Sequence, residues 1–235
     1  MTRNALFYQA DSELPLVSHA DGVYIRDTDG NRFIDACSGA ITCNLGHNHP
    51  AVKQAISAQL DKVAFTYRTQ FESQVAIDLA DALTDLTDGD LDKVFFVGSG
   101  SEAVESAMKL ARQYFVSIQQ PQRTHFVSLR PSYHGSTLGA LGLTGYQPLE
   151  APFTDITLSS LKVPSPDFYR YQESTIEEHV NAVLEETEAA ISRVGGERII
   201  AIAIEPVGGA STGHACLTAN ICKASATFAT VMAAC

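Results

Sequence analysis

The sequence predicts an α/β fold with a mainly parallel sheet, and three observations carry that expectation. Short continuous apolar runs, "KVFFV" (93–97), "HFVSL" (125–129) and "IIAIAI" (199–204), have the length and composition of strands covered on both faces. The first passes directly into "GSGSE" and then into a helical stripe through Val104, Ala107, Leu110, Ala111 and Tyr114, the strand, glycine turn and helix of a βα unit. Between the second and third lies "STIEEHVNAVLEETEAAISRV", a long amphipathic helix pattern of the kind that crosses between parallel strands.

The elements upstream follow from local chemistry. In "GVYIRDTDGNRFIDA" the runs 23–26 and 32–35 flank "DTDGN", a hairpin signal because Asp-Gly supplies the positive φ of a tight turn. "GHNHPAVKQAISAQLDKV" sets Pro50 at a first helical position, with Val52, Ile56 and Leu60 on one face. "SQVAIDLADALTDL" repeats that pattern through Val75, Leu79 and Leu83, and "TDGD" ends it. No internal repeat precedes the C-terminal tail.

With 235 residues, 45% hydrophobic and 18% charged, the chain has a globular composition. A net charge of −11, with no Lys/Arg run, argues against nucleic acid as a partner. The start "MTRNALFYQADSELP" lacks the basic flank and apolar core of a signal peptide, and no apolar run is long enough to span a bilayer, so the expected location is cytoplasmic, with no membrane partner. The five cysteines (Cys37, Cys43, Cys216, Cys222 and Cys235) show no CxxC spacing, and neither a zinc site nor a disulfide framework is expected.

Three features can carry chemistry. At "GSGSE" the glycines turn the backbone off the strand, and the amides of Gly100 and Ser101 face outward at a helix N-terminus, where the macrodipole favours an anion such as phosphate. The same letters also make a plain capping box from Ser99 to Glu102. In "SYHGSTLGALGLTG", Tyr133 and His134 follow the C-terminal end of a strand, where α/β sheets bind ligands, although packing would use the same pair. Glu205 ends the apolar run 199–204 ahead of Pro206, as a site carboxylate or as a turn cap.

Together these segments resemble a known family. "DGVYIRDTDGNRFIDACSGAITCNLGHNHPAVKQAI", "GSGSEAVESAMKLARQY", "YHGSTLGAL" and "EPVGGASTG" are similar, in order and approximate spacing over residues 14–213, to landmarks of the class III pyridoxal-phosphate-dependent aminotransferases, of fold type I. The resemblance implies pyridoxal 5′-phosphate as cofactor, Gly100 and Ser101 at its phosphate, Tyr133 stacked on its ring with His134 and Gly135 in the same motif, and Glu205 close to cofactor and substrate. It places Ser38 and Gly39 at the border of the substrate pocket. It further implies a ping-pong transfer from an amine or amino acid donor to a keto acid or aldehyde acceptor by a homodimer. Residues 1–60 then read as an N-terminal segment belonging to the small domain, 61–213 as a partial cofactor-binding large domain, and 214–235 as a separate tail.

Neither the Schiff-base lysine nor the ring-nitrogen aspartate of the family is visible, and both are expected beyond Cys235. Lys53, Lys62, Lys93, Lys109, Lys162 and Lys223 all lack the matching context. The tail "GHACLTANICKASATFATVMAAC" does not resemble the family, yet codons compatible with it, read in the neighbouring frame from the third base of the Gly213 codon, allow "ARLPHGQYMQGERDICDRHG". That string is similar to the family's continuation, so residues from about His214 to Cys235 are expected to be out of frame, the alternative being a divergent native terminus. The function classes left standing are an aminotransferase, a remnant that at most holds the cofactor weakly, and a generic phosphate or nucleotide binder using "GSGS" alone.

Overall fold

The structure, a computed structural model, describes residues 5–7, 13–87, 91–165, 167 and 175–213. The tail from His214 onward, and with it the expectation of a frame change there, lies outside the described residues. Contacts divide the chain into two compact units, Met1–Val94 and Phe95–Cys235.

In the first unit, β1 (Val17–Asp21), β2 (Tyr24–Asp27) and β3 (Arg32–Ile34) form an antiparallel sheet in the order β1-β2-β3. The expected hairpin is β2–β3, with Tyr24 opposite Ile34 and Arg26 opposite Arg32. Its turn is organised by buried Asp27, whose Oδ1 accepts from the amides of Asp29 and Asn31 at 3.0 and 2.8 Å while Oδ2 accepts from Asn31 Nδ2 at 2.8 Å. The Asn31 side-chain bond, with help from the backbone amides, holds the Asp27 carboxyl below the usual carboxylate range. The one-turn α1 (Ser38–Ile41) follows, then α2 (Pro50–Lys62), which has Pro at its start as expected, and α3 (Gln74–Thr84). The stripes of α2 and α3 are where their spacing puts them, but Ile56, Leu60, Val75 and Leu79 are exposed, and no apolar side chain is buried among the described residues of this unit.

The second unit holds the core. Strands β4 (His125–Arg130), β5 (Leu161–Pro164) and β6 (Ile199–Ala203) are all parallel, in the order β5-β4-β6. Central β4 is covered on both faces, as its uninterrupted apolar run requires. On one face Val127 and Leu129 pack with Val163 and with Ala190 and Ile191 of α7 (Ile176–Val194), the predicted long helix, which a Thr175–Glu178 capping box opens. On the other face Phe126 packs with Ile200, Leu143 and Met108 of α4 (Gly100–Ser117). Burying each such side chain stabilises the unit by roughly 1.5–3 kcal/mol. Buried Arg123 ties the end of α4 to the start of β6: it stacks 4.8 Å from the Phe115 ring and donates to the carbonyls of Gly196 and Ile199.

Two elements depart from expectation. The run 93–97 is not a strand: it belongs to neither of the two sheets formed by the described residues, and Phe95 is 61% exposed. A strand exists only through its partner's hydrogen bonds, so apolar composition alone does not make one. Conversely β5 escapes a search for apolar runs, because its four residues "LKVP" contain a lysine and a proline. Between β4 and β5 run α5 (Leu138–Leu143), α6 (Gln147–Glu150) and a short 3₁₀ turn, Ala151–Phe153.

Candidate active site

Three segments meet at the C-terminal edge of the parallel sheet. At the first, Ser99 is extended and its hydroxyl accepts from Glu102 N at 3.2 Å, while Glu102 Oε2 accepts from Gly98 N at 2.7 Å. The capping interaction is therefore real, though the glutamate reaches back to Gly98 instead of to the cap residue itself. It leaves the amides of Gly100 and Ser101 without a hydrogen-bond partner among the described residues, at the positive end of an 18-residue helix. The capping bonds thus leave these two amides open, because they engage the amides of Gly98 and Glu102.

The second segment is the loop after β4. Ser132 is fully buried, donating to Leu129 O at 2.6 Å and accepting from Gly145 N at 3.1 Å, which closes the loop's ends on each other. Inside it, the buried Thr144 hydroxyl accepts from His134 N at 2.9 Å and lies 3.0 Å from Gly135 O as donor. Gly135 has φ +132°, and a Cβ there would sit 2.7 Å from Ser101 Oγ and 2.8 Å from Ala140 Cβ. Only glycine permits that contact, which seats the loop on the first turn of α4. The seat is reinforced by Ser136 N donating to Ser101 Oγ at 3.1 Å, and by Glu105 Oε1 accepting from Thr137 Oγ1 and Gly139 N at 2.8 and 2.9 Å.

The third segment follows β6. Glu205 Oε2 accepts from Tyr133 N at 3.1 Å, so the carboxylate fixes the backbone of the tyrosine loop while the Tyr133 ring stays 45% exposed. His134 is the opposite case: its Nε2 is buried with no hydrogen-bond partner among the described residues. Burial, and secondarily the Lys162 ammonium, push the imidazole down to about 4, so it is neutral at pH 7. Lys162 itself is pushed down to about 8, chiefly by burial; its Nζ donates to Ser128 Oγ, Gly142 O and Thr144 O at 3.0, 2.9 and 2.8 Å.

Of the residues singled out in the sequence, Gly100, Ser101, Tyr133, His134, Gly135 and Glu205 are brought into one connected assembly. Ser38 and Gly39 lie in the first unit, both with positive φ (51° and 65°), Gly39 N donating to Asp35 Oδ1 at 3.4 Å. The sequence reading missed Glu105, Thr144 and Lys162, which hold the loop from below. A polar residue inside an otherwise apolar stretch, as in "GALGLTG" and "LKVP", is the signal that marks two of them.

The comparisons bear on the whole assembly. The profile of "Aminotransferase class-III" matches residues 8–229. An uncharacterized aminotransferase of Bacillus subtilis, YodT, is 40% identical over 203 residues, covering 86% of this chain and 46% of the relative. The uncharacterized aminotransferase C1771.03c of Schizosaccharomyces pombe is 37% identical over 217 residues, 91% of this chain and 47% of its own length. The chain spans about half the length of the curated relatives it matches. Among solved structures, a PLP-bound amine transaminase from an uncultivated Pseudomonas species superposes with a TM-score of 0.91 at 28% identity, over 98% of this chain and 54% of that one. An (S)-enantioselective omega-transaminase from Thermomicrobium roseum gives 0.89 at 30% identity, over 98% and 53%. Sequence profile, relatives and fold agree that the chain belongs to the class-III aminotransferases.

Proposed function

We propose that this chain serves pyridoxal-phosphate-dependent transamination, moving an amino group from an amine or amino acid donor to a keto acid or aldehyde acceptor. Its single strongest support is the connected assembly at the sheet edge: two unpartnered amides at the start of α4, the loop that carries the half-exposed Tyr133 seated on that helix turn, and Glu205 with one oxygen engaged. These residues fit the cofactor. The Gly100 and Ser101 amides would hold its phosphate, the Tyr133 face would cover its ring, and Ser38 and Gly39 would border the substrate. When bound, pyridoxal phosphate supplies an electron sink for the carbanion chemistry. Glu205 orients the tyrosine loop through Tyr133 N, and His134, being neutral, adds no positive charge to that loop. In this reading residues 61–213 carry the cofactor, residues 1–60 belong to the small domain, and the working form is a cytoplasmic homodimer. The apolar faces of α2 and α3, exposed in the single chain, support a partner there.

A second reading, a remnant that holds the cofactor without turning it over, is favoured by the engagement of Lys162, whose three hydrogen bonds leave it no free donor position. Titrating the purified chain with pyridoxal phosphate tests both. Binding should weaken at least about tenfold in Ser101→Asp, which sets a carboxylate against the phosphate, an unfavourable interaction of the order of 1.4 kcal/mol or more. Undiminished affinity in that variant removes the proposed site. Borohydride then separates the readings: lysine-linked cofactor supports the enzyme, and its absence the remnant. For the tail, we propose translation out of frame after about Gly213. The second reading, a divergent native terminus, has the support of the family match, which runs on to residue 229. The nucleotide sequence decides, since the shifted frame must continue into an aspartate and then a lysine motif.

A further inference from the structure

Apart from the sheet edge, one cluster combines a nucleophile, a base and a carboxylate. Cys43 Sγ lies 3.6 Å from His47 Nδ1, and the other ring nitrogen, Nε2, is 2.8 Å from Asp35 Oδ2. The His47 bond, aided by the Gly39 amide, holds the Asp35 carboxyl below the usual carboxylate range, so it is ionised at neutral pH and accepts a hydrogen bond from Nε2–H. That fixes the tautomer: Nδ1 presents its lone pair to the thiol. The base is also fixed in place. His47 exchanges two backbone hydrogen bonds with Gly22, of 3.0 and 2.7 Å, and Gly46, at φ +78°, lies so close to the Gly22 carbonyl that a Cβ would sit 2.9 Å from it. Both imidazole nitrogens are occupied, and no metal-holding group of His, Cys, Asp or Glu occurs among the described residues, so a metal site is not the reading.

We propose that Cys43 is a modification site: a nucleophilic thiol with His47 as its base and Asp35 orienting that base, open to small, uncharged, soft carbon electrophiles. Cys43 is half-buried at the wall of an open groove of about 280 Å³ that is also lined by Leu45, His49, Val52 and Lys53, wide enough for a small reagent. With iodoacetamide the step balances simply. The thiol proton passes to His47 Nδ1, the sulfur attacks the methylene carbon, a C–S bond forms as the C–I bond breaks, and iodide leaves with the electron pair. His47 then returns the proton to water. The site is wired to the segment ahead of it, because Cys43 N donates to Ser38 O at 3.1 Å. If Ser38 borders the substrate, as the proposed function has it, capping Cys43 acts on substrate entry; the thiol's reactivity stands without that reading.

Cys37 provides the internal reference, since it is exposed and has no base within hydrogen-bonding reach among the described residues. The full chain is labelled with limiting iodoacetamide at pH 7, and each cysteine peptide is quantified by mass spectrometry. Of the two described cysteines, exposure alone ranks Cys37 ahead of Cys43. The relay predicts Cys43 ahead of Cys37, by about tenfold, with the advantage lost in Asp35→Asn, in His47→Gln and in urea. Circular dichroism checks that each variant keeps its fold, and if His47→Gln unfolds, Asp35→Asn is read in its place. Labelling of Cys37 ahead of Cys43 in the native chain overturns the proposal, as does an advantage that persists in Asp35→Asn or in urea.

Discussion

Replacing Gly135 by alanine tests whether the tyrosine loop is truly seated on α4. The new Cβ would lie 2.7 Å from Ser101 Oγ, 2.8 Å from Ala140 Cβ and 3.1 Å from Ser101 Cα, all inside ordinary contact, at a φ of +132° that side chains avoid. Holding a non-glycine residue in such a backbone region costs about 1–3 kcal/mol, and overpacking a tight contact costs about 1–3 kcal/mol more. We therefore expect a loss of roughly 3 kcal/mol, which for a chain of this size corresponds to a fall of about 6–12 °C in melting temperature. Urea titration followed by circular dichroism measures it, with Gly100→Ala as control. Gly100 has nothing within 4 Å of a built Cβ and an ordinary φ, so its replacement should change stability by less than about 1 kcal/mol. A Gly135→Ala chain within about 0.5 kcal/mol of the parent would refute the packing argument.

Two further outcomes follow from the same loop. Thr144→Val keeps the shape but leaves His134 N–H and Gly135 C=O unpaired in a buried place, and should cost about 2–4 kcal/mol while speeding amide exchange at His134. His134, pushed down to about 4 from 6.5, binds its proton more weakly folded than unfolded; between those values the unfolded chain carries more protons, so stability rises with pH. Acid titration of the folded chain should accordingly show stability falling from pH 6.5 toward 4. His134→Gln should flatten that slope, and an unchanged slope would assign the effect to other groups.

Much of this architecture was legible without coordinates. Period and composition announce β4, β6, α2, α3, α4 and α7, because each buries or presents a continuous apolar stripe that follows from side-chain geometry alone. The glycine of "YHG" likewise marks the sheet edge, since the loop's approach to α4 leaves no room for a Cβ at Gly135. What the periodicity cannot supply is pairing. The run 93–97 has a strand's composition and does not form a strand, while "LKVP" pairs with β4 despite its lysine and proline.

The site divides the same way. Residue type and position picked out Gly100, Ser101, Tyr133 and Glu205 as one group at the sheet edge, and the class-III family followed from the order of the segments that carry them. Only the tertiary structure decided what holds the tyrosine loop: Thr144 and Glu105 beneath it, and Lys162 stapling β4 to the end of α5. In the first unit, likewise, only the folded structure sets Asp35 behind His47 and His47 against Cys43. Those contacts join residues of different elements through single hydrogen bonds, whose partners are set by how strands and helices dock. No periodicity along the chain records that docking.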